Sequence, residues 1–372
     1  MRKRGVTLRY AWEAKKLSGC FKVPNPDSSR ATQNKAILEK EPILGARRHE
    51  LLKPLQTVHS RICNYLQMER VTLLMSIGPG ATELVRLRDF LESVFFWEPA
   101  VRSLVFIDDA LEPRSLHERF PLPSGVRAHS IHHPRMGDGE GVWGGLAEGI
   151  LLGLDWIVSH EPAASMILKI DTDALVIAPF ADKASQFFHD HPKAGLVGLY
   201  DRHCSGAPRS FWPWNRAMLN YSLPVGTRRT PTGGRRLRWQ VFNEFGRQRQ
   251  ILRRARANGY AWGEHCLGGA YLLRGDAVRD MQRQGLFRMP DFWRPTAVGE
   301  DVVVAAYAKA AGWGLAGHAA AGETFGIEHT GLPYPPDELV TRGYSVIHSV
   351  KNDPHQSEDN LRDFYRARRI RE

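Results

Sequence analysis

The sequence predicts an α/β protein with a mostly parallel sheet flanked by helices. Two observations carry this prediction. From Val71 onward, short apolar runs of strand length alternate with longer segments of helical spacing. That alternation builds parallel strands joined by helical crossovers. The composition agrees: 42% hydrophobic residues and 10 tryptophans supply a substantial core for a chain of 372 residues, which excludes a disordered protein.

The elements follow in order. Residues 1–69 form a basic N-terminal extension, partly helical at 55–68, with Pro24-Asn25-Pro26-Asp27 opening a loop. Residues 71–76 read as a buried strand, Gly78-Pro79-Gly80 as a turn, and 81–96 as a helix with Leu84, Leu87, Phe90 and Leu91 on one side. Residues 104–107 make a second strand ending in Asp108-Asp109, and 127–132 a third. A loop with Gly137, Gly139 and Gly141 leads into an apolar helix over 142–158, which feeds the strand 166–170. An extended piece at 175–180, a helix at 181–190 and a strand at 195–200 come next. Residues 201–262 break the rhythm and read as an insertion. The sheet resumes at 268–273, followed by helices at 276–284 and 300–311. The tail holds extended pieces at 324–328 and 344–350, then a basic C-terminal stretch over 351–372 with its helix at 360–370.

The net charge of +11 is concentrated. Between Arg228 and Arg256 stand ten arginines and one acid, Glu244. Such a block suits an anionic partner, or equally a solvated insertion that its charge keeps soluble. No apolar run approaches the ~20 residues that span a bilayer, and the basic Met1-Arg2-Lys3-Arg4 start is followed by no apolar segment of a secretory signal. Cys20, Cys63, Cys204 and Cys266 show no CxxC or zinc spacing. Free thiols and a cytoplasmic location, peripheral to a membrane at most, are therefore expected.

Four chemical signals stand along this framework. The first is Ile170-Asp171-Thr172-Asp173-Ala174, between two apolar runs. In extended backbone residues i and i+2 share a side, so Asp171 and Asp173 converge while Thr172 faces away. Two carboxylates at the end of a parallel strand suit a divalent metal that also binds phosphate; the alternative is a plain polar turn. The second signal is Gly268-Gly269 before an apolar strand, where missing side chains admit close approach of a ligand. The third is Gly299-Glu300-Asp301 at a helix start, equally a favourable charge at the helix dipole. The fourth is His348, near the end of the chain.

In this order, the four signals resemble the GT-A superfamily of nucleotide-sugar-dependent glycosyltransferases, over residues 70–350. The resemblance implies a GT-A, Rossmann-like sheet with residues 201–262 as an acceptor-side basic insertion. It implies that Asp173, helped by Asp171, holds Mn²⁺ or Mg²⁺ against the donor diphosphate, and that His348 completes the metal shell or touches the same phosphates. A mixed carboxylate and imidazole shell suits Mn²⁺ better than Mg²⁺. Asp301 is implied as general base, with Glu300 as its substitute. Gly78, Asp108, Asp171, Gly268 and Gly269 are implied on the nucleotide-sugar side, Asp108 by its place at the end of the second strand; a helix-cap or turn role for it stays open. The implied reaction moves a sugar from a UDP-sugar to a hydroxyl of a glycan, lipid-linked or acidic acceptor, with inversion. Trp212, Trp214 and Trp239 fit an acceptor platform or the packing of the insertion.

Other readings compete. Phosphatases of the haloacid dehalogenase type also place Asp-x-Asp after an apolar strand, the first Asp as nucleophile. Here Ala174-Leu175 follows the pair, a second spaced acid is missing near Asp301, and the pair comes after several strand–helix units rather than opening the sheet. A catalytically inactive GT-A relative that binds an anion is the other alternative. Nucleic acid is not an expected partner.

Overall fold

The computed structural model describes residues 71–134, 143–211, 238–294, 296 and 298–372, with backbone alone for 238–245. The strands are β1 (Val71–Ile77), β2 (Val101–Asp108), β3 (Arg127–His132), β4 (Met166–Asp171), β5 (Leu175–Val176), β6 (Ala194–Gly198), β7 (Ala270–Arg274), β8 (Gly314–Gly317), β9 (Phe325–Ile327) and β10 (Val346–His348). The helices are α1 (Ala81–Trp97), α2 (Leu116–Arg119), α3 (Gly144–His160), α4 (Ala181–Asp190), α5 (Arg238–Ala257), α6 (Gly275–Arg283), α7 (Glu300–Ala310), α8 (Pro336–Thr341) and α9 (Glu358–Arg371).

Seven strands form one sheet in the order β3-β2-β1-β4-β7-β6-β8, and β5-β10-β9 form a second, small one. The large sheet is mostly parallel and flanked by helices. Its inner strands are buried on both sides, as a sheet covered on both faces requires, while the edge strands β3 and β8 are partly exposed. Leu73, Met75 and Ile77 of β1 enter one core with Phe90 and Leu91 of α1 and Leu361 and Tyr365 of α9. Leu74 of the same strand enters the other core, with Leu151 and Leu154 of α3, Ile251 and Leu252 of α5 and Val303 of α7. The period of two along β1 thus assigns each face its own helices.

One strand departs from the parallel expectation. β7 pairs antiparallel with both β4 and β6. The cause is the stretch after β6: the chain returns beside the point it left, where the Leu267 amide bonds the Leu199 carbonyl at 2.9 Å. A strand starting from that edge must run the other way. The start of β7 therefore lies next to the end of β4, with Ile170 opposite Ala270.

Helices α2, α5 and α8 and strand β8 have no counterpart in the sequence reading. The 20-residue α5 lies inside the insertion 201–262, where arginines and glutamines crowd its sequence. The other three are short, and Gly314-Leu315-Ala316-Gly317 offers only two apolar side chains with a Cβ to declare a strand. The Gly137–Gly141 loop, residues 1–69, Trp212, Trp214, Arg235 and Arg236 lie outside the described residues, and Trp239 and Arg238 outside the described side chains. Within the described part of the arginine block, three arginines serve the fold. Arg247 bonds the Gly285 carbonyl, Arg254 bonds Gln284, and Arg256 lies 5.3 Å from the Trp262 ring centre. Cys204 and Cys266 are buried free thiols. No described helix is long and apolar enough to cross a membrane.

Candidate active site

The carboxyl ends of the parallel strands set the stage. Ile77 of β1 stands opposite Asp108 of β2, and Ser76 opposite Asp171 of β4. Gly78, Asp108 and Asp171 therefore share one edge of the sheet. At Asp171 the strand stops. The Ala174 amide bonds the Asp171 carbonyl at 3.2 Å, so Asp171–Ala174 is a turn, not the continuous extended segment expected from the sequence. The two aspartates converge because the turn folds them together, and the polar-turn and ligand-cluster readings coexist. Thr172 is buried, and its hydroxyl bonds Glu83 of α1.

Asp173 is 3% exposed. Its Oδ1 lies 3.3 Å from His348 Nε2, and its Oδ2 accepts from Ser349 Oγ at 2.6 Å and lies 3.4 Å from Lys351 Nζ. Burial alone would raise this carboxyl; His348, Lys351 and Ser349 outweigh burial and hold it well below the usual carboxylate range. β10 brings His348 here by pairing antiparallel with β5, which directly follows the turn. One atom each of Asp171, Asp173 and His348 lies within 4.8 Å of the others, a donor set of two carboxylates and an imidazole that fits a divalent ion.

Asp171 has different company. Lys169, two residues earlier and fully buried, bonds Asp171 Oδ1 at 2.8 Å, Glu300 Oε1 at 2.8 Å and the Gly268 carbonyl. Burial works against the lysine's charge, but Asp171 and Glu300 overcome it and raise its pKa. Burial raises both carboxyls, with Lys169 opposing it in each. Lys169 was missed by sequence reasoning, although a lysine inside the apolar run Met166-Ile167-Leu168-Lys169-Ile170 signals a buried charge that needs a partner.

The two glycines separate these groups. A Cβ on Gly268 would sit 2.7 Å from Glu300 Oε1, and one on Gly269 would sit 2.2 Å from His348 Nδ1. Close approach of a ligand is expected at these glycines from the sequence; the groups that approach them here are protein side chains. The Gly269 carbonyl also accepts from the Asp171 amide at 3.0 Å. Gly268-Gly269 is thus the seam on which the second, third and fourth signals meet the first.

Asp301 opens α7 beside Glu300 and is 7% exposed. One oxygen accepts from the Val302 amide at 2.8 Å, and the other lies 3.6 Å from His265 Nε2. Burial pushes its carboxyl up to about 6, against the opposing pull of the Val302 bond, Lys169 and Arg209. His265 is kept neutral: burial and the neighbouring Arg209 lower it to about 4. Its Nδ1 faces the Gly263 carbonyl at 2.8 Å and its Nε2 faces Arg209 at 3.1 Å. His265 and Arg209 carried no signal in the sequence, because only the tertiary fold sets them beside Asp301.

Asp108 and Gly78 share the edge but do not join the cluster. Asp108 is 1% exposed, and its carboxylate is engaged by the amides of Ala110 and Arg114 and by the Arg114 guanidinium at 2.6 Å. Arg114 also bonds the Ile77 carbonyl at 3.1 Å, which ties the loops after β1 and β2 together. Of the two roles left open for Asp108, the turn role is the one these bonds carry out. Gly78 packs near Glu83, 3.2 Å from the position its Cβ would take.

Comparison with known proteins adds one likeness. Among solved structures, the chain is similar to the apo structure of WbbM, a bifunctional glycosyltransferase, with 10% identity and a TM-score of 0.38 over 77% of this chain. The chain spans 46% of that protein's length. No family model matches the chain. No curated protein matches it.

Proposed function

We propose that the chain is a GT-A-type, metal-dependent glycosyltransferase that moves a sugar from a nucleotide-sugar donor to an acceptor hydroxyl. One observation carries the reading: four signals scattered from Asp171 to His348 in the sequence meet around Gly268-Gly269 at the carboxyl edge of the sheet. Sequence proximity does not explain the meeting. A phosphate-handling carboxylate site placed next to a buried base does.

In this reading Asp171, Asp173 and His348 hold Mn²⁺ or Mg²⁺, with Mn²⁺ favoured by the imidazole. When bound, the ion offsets the charge of the departing nucleoside diphosphate. Asp301 takes the proton from the acceptor hydroxyl, and direct attack on the anomeric carbon inverts it. A carboxyl raised to about 6 is still ionised at neutral pH and is a stronger base than an ordinary aspartate. Glu300 is the poorer base, because Lys169 already occupies its Oε1 at 2.8 Å. The donor is a UDP-sugar, and the arginine-rich insertion serves a glycan, lipid-linked or acidic acceptor.

Two measurements test this. Thermal unfolding with UDP, GDP or CMP, with and without Mn²⁺, is expected to give a metal-dependent rise for one nucleotide that Asp173→Asn abolishes. No rise with any nucleotide sinks the donor-site reading. Asp301→Asn is expected to lower kcat/KM by about 10²–10⁴-fold while leaving that nucleotide shift intact. The base works deprotonated, so wild-type kcat/KM rises with pH through about 6; a flat profile between pH 5 and 7, on the scale of roughly one pKa unit either side of that value, removes Asp301 from the role.

A further inference from the structure

Thr172, the residue between the two aspartates, is held from both ends. Its hydroxyl donates to Glu83 Oε2 of α1. Glu83 Oε1 accepts from Arg86 at 2.6 Å, and Arg86 in turn bonds both carboxylate oxygens of Glu358 in α9, at 2.8 and 2.6 Å. Glu358 Oε1 accepts from Arg362 Nε at 2.9 Å, and Arg362 donates back to the Thr172 carbonyl at 3.2 Å. The chain of bonds closes on the residue where it began.

Arg362 is 6% exposed and also bonds Asp89 of α1 at 2.7 Å. One side chain therefore joins α1, α9 and the turn. The segment before α9 holds the neighbouring residue as well. The Val350 amide bonds the Asp173 carbonyl at 3.0 Å, beside the Ser349 bond to its carboxylate.

We propose that the C-terminal segment from Ser349 through α9 is a clamp on the Asp171–Ala174 turn, with Arg362 and Thr172 as its positioning residues. The clamp fixes the turn's backbone and so sets the affinity of the two carboxylates for a divalent ion; this second part rests on the metal site proposed above. A buried arginine suits the task. Its planar fork holds three partners at fixed angles, and ordering the carboxylates in advance spares a bound ion that cost. The basic C-terminal stretch at 351–372 thus turns two of its arginines into the fold: Arg362 and Arg369 are buried and face Asp89.

The test compares Arg362→Met with Arg369→Met in the full chain. Both remove a buried arginine from Asp89, bonded at 2.7 and 2.9 Å, but only Arg362 reaches Thr172. Hydrogen exchange of the Ala174 and Val350 amides reads the turn, and Mn²⁺ titration followed by electron paramagnetic resonance reads the ion. Arg362→Met is expected to speed exchange at both amides and to weaken Mn²⁺ binding about tenfold or more, with Arg369→Met near wild type in both. Unchanged exchange in Arg362→Met, or equal effects in the two variants, overturns the clamp. Faster exchange with unaltered Mn²⁺ affinity overturns its link to the ion. A wild-type protein that binds no Mn²⁺ overturns the metal reading instead, while the exchange rates still decide whether Arg362 fixes the turn. Should Arg362→Met fail to fold, Thr172→Val opens the ring at its other end, with the same expected outcomes.

Discussion

Asp171 and Asp173 stand two residues apart in one turn, yet the fold treats them oppositely. Asp173 is almost fully buried among His348, Ser349 and Lys351, and these hold its carboxyl well below the usual range. Asp171, with a third of its side chain exposed, shares the buried Lys169 with Glu300, and its pKa goes up. Burial pushes both in the same direction. The difference lies in how many partners each carboxylate has to itself. Asp173 has three donors aimed at it, whereas Lys169 must serve two carboxylates and a carbonyl with one charge. Gly268 and Gly269 divide along the same line, the first against Glu300 and the second against the His348 ring.

The strongest way to break this contrast is Lys169→Met. It leaves Glu300 buried without its cation, at a cost of about 3–5 kcal/mol in chemical denaturation. Adding Glu300→Gln is expected to recover part of that loss. A single substitution costing under about 1 kcal/mol, a surface-pair value, would mean that the lysine does not hold this corner together.

A smaller effect sharpens the division between the glycines. Gly269→Ala must displace the His348 ring, and overpacking of this kind costs about 1–3 kcal/mol. Gly268→Ala meets the end of the Glu300 side chain instead. Mn²⁺ titration is expected to show the larger loss of affinity in Gly269→Ala. Equal losses would mean that the two corners act as one unit.

The smallest effect is in acid. Asp173 has a depressed folded-state pKa, so it contributes stability above its unfolded value of about 3.9, and that contribution is lost as pH falls below it. Asp171 has the opposite sign: its raised pKa favours the fold below the unfolded value, and that contribution is lost as pH rises. The stability gap between wild type and Asp173→Asn is therefore expected to shrink as pH drops from about 5 to 2, while the gap to Asp171→Asn does not. Melting temperatures of the three proteins across that range check it.

Much of the sheet was legible because burial writes itself into strands. β1 and β3 and helices α1 and α4 fall at or within a residue of their expected bounds. The turn Asp171–Ala174 was misjudged as extended because two aspartates and a threonine fit either backbone. The direction of β7 was not legible at all: an apolar run such as Ala270-Tyr271-Leu272-Leu273 has the same pattern whichever way it runs.

The sequence by itself determined the strand–helix alternation and the candidate acids and glycines. Residue type and local periodicity suffice for these. Only the tertiary structure decided that β7 reverses, so that Gly268-Gly269 slots between Lys169, Glu300 and His348. It also decided that Arg362 closes on Thr172 from a helix near the chain's end. Both depend on contacts between residues far apart in the chain, 99 positions for Lys169–Gly268 and 190 for Arg362–Thr172. Such contacts follow from how elements pack in space, which local pattern does not encode.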